Sequence, residues 1–241
     1  MNIPFIRGPI ILAETTVMGI KALNYSTDIA IEDETPKTKK AGTMSNISIA
    51  ATLLISLAFA LFLFKFIPLY ATQFAANHWS FFAQQYTFNM TEGILKIGLL
   101  VGYIYSISLF PDIQRVFQYH GAEHKVVNAW ENKDLYNAKK YSTTHVRCGT
   151  SFILFVMALS ILVYILVPIT MGFWAKYGLR IALLPVIMGI SYELIKISPK
   201  YEKQAWFKIL ISPGLLMQRL TTRQPNDRQL EVATAALLAA I

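Results

Sequence analysis

Three of the four histidines and the single cysteine of this 241-residue chain lie between His120 and Cys148. The stretch opens on His120, Gly121, Ala122, Glu123, His124 and closes on His145, Val146, Arg147, Cys148. Imidazole nitrogen and thiolate sulfur are the donors that zinc and similar borderline-soft ions prefer. Residues four apart share a helix face, so His120 and His124 stack one above the other with Glu123 beside them. The order His-x-x-Glu-His is the inverted zincin pattern, in which two histidines bind the ion and the glutamate activates a water.

A third ligand is needed. His145 is the first candidate and Cys148 the next, with Glu131, seven residues beyond His124 on the same helix face, as a further option. Binding by all of His120, His124, His145 and Cys148 would close the site and make it structural. Binding by three would leave a position for water and for chemistry. Glu123 reads either as a general base or as a surface carboxylate paired with Lys125 or Arg115. Glu193 reads either as an outer acceptor that orients a ligand histidine or as an interfacial residue paired with Lys196. Arg147 either lowers the neighbouring thiol pKa or anchors the chain beside the bilayer.

These residues belong to a hydrophobic chain. Apolar residues make up 54% of it, charged residues only 15%, and the mean hydropathy is +0.43. A soluble domain carries about 25% charged residues, so the composition points to lipid. One cysteine excludes an internal disulfide, and the N-terminus lacks the ordered regions of a signal peptide. Four segments are long and apolar enough to be expected spans: Ile47–Ala71, Gly93–Phe110, Thr150–Phe173 and Gly178–Ile197. Lys65 and Lys96 fall toward the ends of their spans and are expected to snorkel. Basic residues crowd the segment before the first span, the loop 111–149 and the tail after Ile197, whereas the connection 72–92 has none. The positive-inside rule then places both termini and the His/Cys loop in the cytoplasm. The net charge of +8 follows from this bias. It gives no reason to expect direct nucleic-acid binding, since no binding motif accompanies it.

The expected class is an all-α polytopic membrane protein in three parts. Residues 1–45 hold an interfacial amphipathic helix (Pro4–Asn24) and a polar linker (Thr27–Thr43). Residues 46–199 hold the four spans and the His/Cys loop 111–149, and residues 200–241 form a cytoplasmic interfacial tail. The aromatic-rich connection 72–92 reads as an interfacial belt, and it places His78 across the bilayer from the other histidines. Pro111 and Asp112 open a helix that continues to Glu131. Ser212, Pro213 and Gly214 signal a turn between two short helices in the tail. Asn226 and Gln229 match a capping box for a last helix, whose stripe of Leu230, Leu237, Leu238 and Ile241 must dock on something.

The run from Phe117 to Lys125 resembles a signature of the YqhQ-like family of bacterial multipass membrane proteins. So do His145–Phe152, Ser191-Tyr192-Glu193, Pro213-Gly214-Leu215 and Gln218–Pro225. The N-terminal Phe5–Gly8 and Lys21–Ser26 resemble the family as well. The resemblance covers nearly the whole chain and implies an integral membrane protein of the bacterial inner membrane, described as a predicted metal-dependent enzyme with a domain of unknown function. It names no substrate. Members of the family carry a glycine-rich segment ahead of the first amphipathic helix, and this chain begins almost at that helix.

The expected function is a metal-dependent, zinc-type hydrolase at the cytoplasmic membrane face. Its ligands are His120, His124 and His145, with Cys148 as a fourth. Its base is Glu123, and its substrate is a membrane peptide or an amide- or ester-linked lipid. The rival is a non-enzymatic membrane scaffold or protein-biogenesis factor in which a closed metal site staples the loop, with a membrane-protein partner such as the translocon. A small transporter is disfavoured by the scarcity of charges in mid-span.

Overall fold

The computed structural model describes residue 5 and residues 7–34, 46–201 and 204–241. The described residues form helices and connecting turns, without strands. The all-α class follows from the bilayer, where a helix satisfies every backbone group within itself.

Among the described residues, three helices are long and apolar enough to cross a membrane. The first runs continuously over Ala51–His78. It comprises α2 (Asn46–Leu61), a π-helical segment (Phe62–Phe66) and α3 (Ile67–His78). The second is α4 (Gln85–Ile107), and the third, Phe173–Ile197, joins α7 (Phe173–Ala182) to α8 (Leu184–Tyr201). The expected span Thr150–Phe173 is cut short, because α6 (Gly149–Tyr164) stops after 16 residues. At 1.5 Å per residue it reaches about 24 Å, less than the ~30 Å hydrocarbon thickness. Pro168, with no N–H, lies in the turn that follows. The Gln85 side chain satisfies that turn by donating to the Ile165 and Val167 carbonyls at 2.7 and 2.6 Å and accepting from the Ile169 amide at 3.2 Å.

Helix α1 (Arg7–Glu34) packs along α8 and extends beyond the interfacial helix the sequence suggests. It takes in residues 27–34, which were read as the start of the linker, while residues 35–45 lie outside the described residues. Helix α8 runs unbroken across residues 199 and 200, where the membrane part was expected to end. Helix α9 (Ala205–Thr221) likewise continues through Pro213, where a turn was expected. Pro213 cannot donate to the Ile209 carbonyl one turn earlier, and the Ser212 hydroxyl donates to that carbonyl instead, at 2.9 Å. Packing against α6 holds the helix straight, with Gly214 lying directly on Ser151.

The candidate site rests on α5 (Pro111–Glu131) and α10 (Asp227–Ala240). Pro111 and Asp112 occupy the first turn of α5, and the capping box of α10 forms in both directions at 2.9 Å. The two helices close over Ala122, Val126, Ala129 and Ala233, flanked by Leu230 and Leu237. Leu238 and Ile241, expected in the same stripe, remain exposed. A short 3-10 segment (Leu135–Lys140) covers the end of α5, held by Lys125, whose ammonium donates to the Lys139 and Tyr141 carbonyls at 2.8 and 2.7 Å.

Two lysines depart from expectation. Lys96 does not snorkel but is buried, 3.3 Å from Glu92, and Lys65 turns to the Tyr164 hydroxyl at 2.8 Å. An apolar bundle gives a lysine amine no other partners in lipid, so it seeks them inside the protein.

At Gly121 the chain leaving α9 passes so close that an added Cβ would lie 2.1 Å from the Arg223 carbonyl oxygen. The Arg223 amide donates to the Phe117 carbonyl at 2.9 Å in the same crossing. Gly121→Ala must push this backbone away, which overpacking costs at about 1–3 kcal/mol. A lowered thermal midpoint in detergent, with helicity retained by circular dichroism, is the expected result.

Candidate metal centre

Helix α5 carries His120 and His124 on one face, with ring centroids 4.4 Å apart. Each imidazole is fixed by a backbone carbonyl. The Nδ1–H of His120 donates to Thr221 at the end of α9 (2.8 Å), and that of His124 donates to Thr143 in the loop before α6 (2.6 Å). A carbonyl only accepts, so both Nδ1 atoms carry the proton and each ring turns its Nε2 toward the remaining donor. That donor is Cys148, the N-cap of α6, whose sulfur lies 3.3 Å from His120 Nε2 and 3.2 Å from the Thr150 hydroxyl. His124 and Cys148 are buried, and His120 is half-buried.

The three ligand atoms all lie within 4.8 Å of one another. Tetrahedral zinc with nitrogen and sulfur donors needs separations of about 3.4–3.6 Å. The Cys148–His120 contact, at 3.3 Å, is already close to that length, and the whole set lies within 4.8 Å. The donor set therefore fits a borderline-soft divalent ion. Burial opposes ionisation of the Cys148 thiol, but hydrogen bonds from His120, His124 and Thr150 outweigh it and bring the pKa down to about 5. The hydrogen bond to Cys148 raises the His120 pKa, against partial desolvation. The two shifts run in the same sense, toward a thiolate beside a protonated ring.

His145 does not join the other three. Its ring centroid lies 6.1 Å from that of His124, and its Nε2 faces Glu131 at 3.2 Å. Glu131, weighed as a ligand from sequence, is instead the partner of His145 and Arg147. Arg147 thus neutralises a carboxylate rather than polarising the neighbouring thiol. The His145 backbone is clasped by the buried Gln218 amide, which accepts from its N–H and donates to its carbonyl, both at 2.8 Å. The same amide donates to Ser151 at 2.7 Å.

Glu123 lies exposed on α5 and makes no hydrogen bond or ion pair among the described residues. It pairs with neither Lys125 nor Arg115. Glu193 is not an outer acceptor for a ligand histidine, since the Thr221 and Thr143 carbonyls hold those roles. It binds the Arg7 guanidinium bidentately and accepts from the Phe5 amide at 3.4 Å, tying α1 to α8. His78 bonds its own helix at the Phe74 carbonyl, away from the cluster.

Thr143, Thr221, Gln218 and Gly121 were not identifiable from residue type. The two threonines act through backbone carbonyls, and Gly121 acts through the absence of a side chain. The run Gln218–Pro225 stood out only as part of a resemblance.

The chain matches the family described as "Protein of unknown function (DUF1385)" over residues 3–241. It is similar to the "Uncharacterized protein YqhQ" of Bacillus subtilis (strain 168), with 39% identity over 242 residues, covering 96% of this chain and 75% of that relative. No solved structure matches. The chain belongs to the DUF1385 family.

A depressed thiol pKa in the folded state has a definite sign. Its contribution to stability is full above the ordinary thiol value of 9.0, shrinks as the pH falls, and is gone below about 5. Thiolate absorbance of metal-free protein should titrate with a midpoint near 5. His120→Asn should move that midpoint upward; an unchanged midpoint would separate His120 from the thiol.

Proposed function

We propose that this DUF1385 member is a metal-dependent hydrolase of the bacterial inner membrane, working at the cytoplasmic face. His120, His124 and Cys148 hold a divalent transition ion, zinc first. The observation that carries this reading is the three-donor cluster, with both histidine Nδ1 atoms anchored and His145 engaged elsewhere. Three protein ligands leave a coordination position free, the arrangement of catalytic rather than structural zinc sites. An ion bound there polarises a carbonyl and lowers the pKa of a coordinated water. Glu123, one residue before His124 and free of other partners, accepts the proton of the attacking water and returns it to the leaving group. The site lies where α5 meets the N-terminal end of the apolar helix α6. A membrane peptide or an amide- or ester-linked lipid reaches it from the bilayer. The basic residues of the loop and tail support a cytoplasmic orientation of that face by the positive-inside rule.

One observation favours a second reading. Glu123 is exposed, whereas His124 and Cys148 are buried. If the ion serves only to pin α5 to α6, the protein is a scaffold or protein-biogenesis factor for a membrane partner such as the translocon.

Elemental analysis of purified protein distinguishes the cases. Wild type should hold a stoichiometric zinc-type ion that His124→Ala loses. Glu123→Gln should keep the ion and lose about 10²–10⁴-fold in hydrolysis of ester- and amide-linked lipids or membrane peptides. Full turnover by Glu123→Gln protein would remove the base, and a fourth protein ligand in the metal's X-ray absorption spectrum would favour the scaffold.

A further inference from the structure

A second cluster of charge lies at the far end of α6. Tyr164, the last residue of that helix, is 16 residues from Cys148, about 24 Å along the helix axis. Around it the bundle encloses four basic side chains and one carboxylate. Lys96, Lys176, Arg180 and Glu92 are each no more than 2% exposed, and Lys65 is half-buried. Two rings carry all four basic groups. Lys65, Lys96 and Arg180 lie 4.9, 5.0 and 4.9 Å from the Tyr164 ring centre, and Lys176 lies 4.8 Å from that of Phe88.

The charges do not balance. Glu92 pairs with Arg180 and stands 3.3 Å from Lys96. The remaining partners are neutral: Asn89 for Arg180, the Tyr164 hydroxyl for Lys65, and Gln73 with the Ile169 carbonyl for Lys176. Two buried atoms inside the cluster lack any hydrogen bond, Arg180 Nε and Glu92 Oε1; the Lys96 contact to the latter has ion-pair distance without hydrogen-bond geometry. Glu92 can cancel one positive charge, and Arg180 cannot give up its proton, so no further carboxylate remains to balance whichever of the three lysines is charged. Ionisable residues at membrane depth mark functional sites more often than structural ones. The π-helical segment Phe62–Phe66, which contains Lys65, is a second mark of such sites.

We propose that this cluster binds an oxyanion of the phosphate class. Several lysines with an arginine guanidinium suit an anion that spreads charge over several oxygens. Lys65, on the half-buried edge, is the first residue the anion meets. The phosphate comes either from a phospholipid headgroup or from free inorganic phosphate; both present the same group.

The test uses the full chain in a neutral alkyl-maltoside detergent, reading the thermal midpoint with phosphatidylglycerol, with diacylglycerol and with inorganic phosphate. Phosphatidylglycerol should raise the midpoint and diacylglycerol should not, because the second has the tails without the phosphate. A matching rise with inorganic phosphate assigns a free anion, and its absence assigns the lipid. Lys65→Met and Lys176→Met should each need at least tenfold more ligand for half the shift. Arg180 is left intact because its loss would strand Glu92. No shift in wild type with either phosphate source, or an equal shift with diacylglycerol, overturns the proposal. So does an unchanged response in either folded lysine variant. If both variants fail to fold, the wild-type comparison alone decides.

Discussion

The candidate site depends on one close crossing of backbone over backbone. The chain leaving α9 runs across α5 at Gly121, where no Cβ stands in its way. That crossing brings the Thr221 carbonyl to His120 Nδ1 and ties Arg223 to Phe117. Four residues along α5, the loop before α6 performs the same service for His124 through Thr143. Each histidine is thereby fixed in tautomer and direction by a group whose own position is set by the fold. Loss of the crossing would leave the residues in place along the sequence but not aimed at one point.

Gln218 shows how the rest of the frame supports this. Its buried amide spans from α9 to both backbone groups of His145 and to Ser151 of α6. The segment between His145 and Cys148 therefore has its start clamped to α9 and its end fixed as the N-cap of α6. Cys148 can face two imidazoles because both ends of that short segment are immobilised. The His145 side chain meets Glu131, which bridges it to Arg147.

Much of this was legible in the sequence, for identifiable reasons. Helical spacing alone puts His120 and His124 on one face, and hydropathy alone requires a helical membrane protein. The capping box and the opening of α5 are local signals that no tertiary contact overrides. The failures share a different cause. Spacing cannot show which way a ring in a loop will turn: His145 is the first candidate by sequence, whereas in the structure the Cys148 sulfur faces His120 and the His145 ring faces Glu131. Pro213 and Pro168 carry the same local signal. The chain turns near Pro168, while α9 continues through Pro213 because Ser212 and the packing against α6 compensate. Lys65 and Lys96 read as snorkelling because hydropathy treats a lysine as a cost to be moved to the surface. Their partners come from helices distant in sequence, and no periodicity reports them.

The two ends of α6 solve opposite problems. At the Cys148 end a thiol is held as its anion, and the counter-charge comes from His120, a group that can give up its proton. Metal binding requires deprotonated ligands, so a lowered thiol pKa favours the form an incoming cation needs. At the Tyr164 end four basic side chains surround one carboxylate, and Arg180, which keeps its proton, already takes that carboxylate as its partner. A short helix, tucked between long ones, thus carries a His/Cys cluster at one end and a cluster of basic side chains at the other. Neither follows from helix dipoles, because the donors are side chains contributed by several helices. What the short helix contributes is separation: it keeps the thiolate and the cation cluster about 24 Å apart, so each retains the charge that its own neighbours impose.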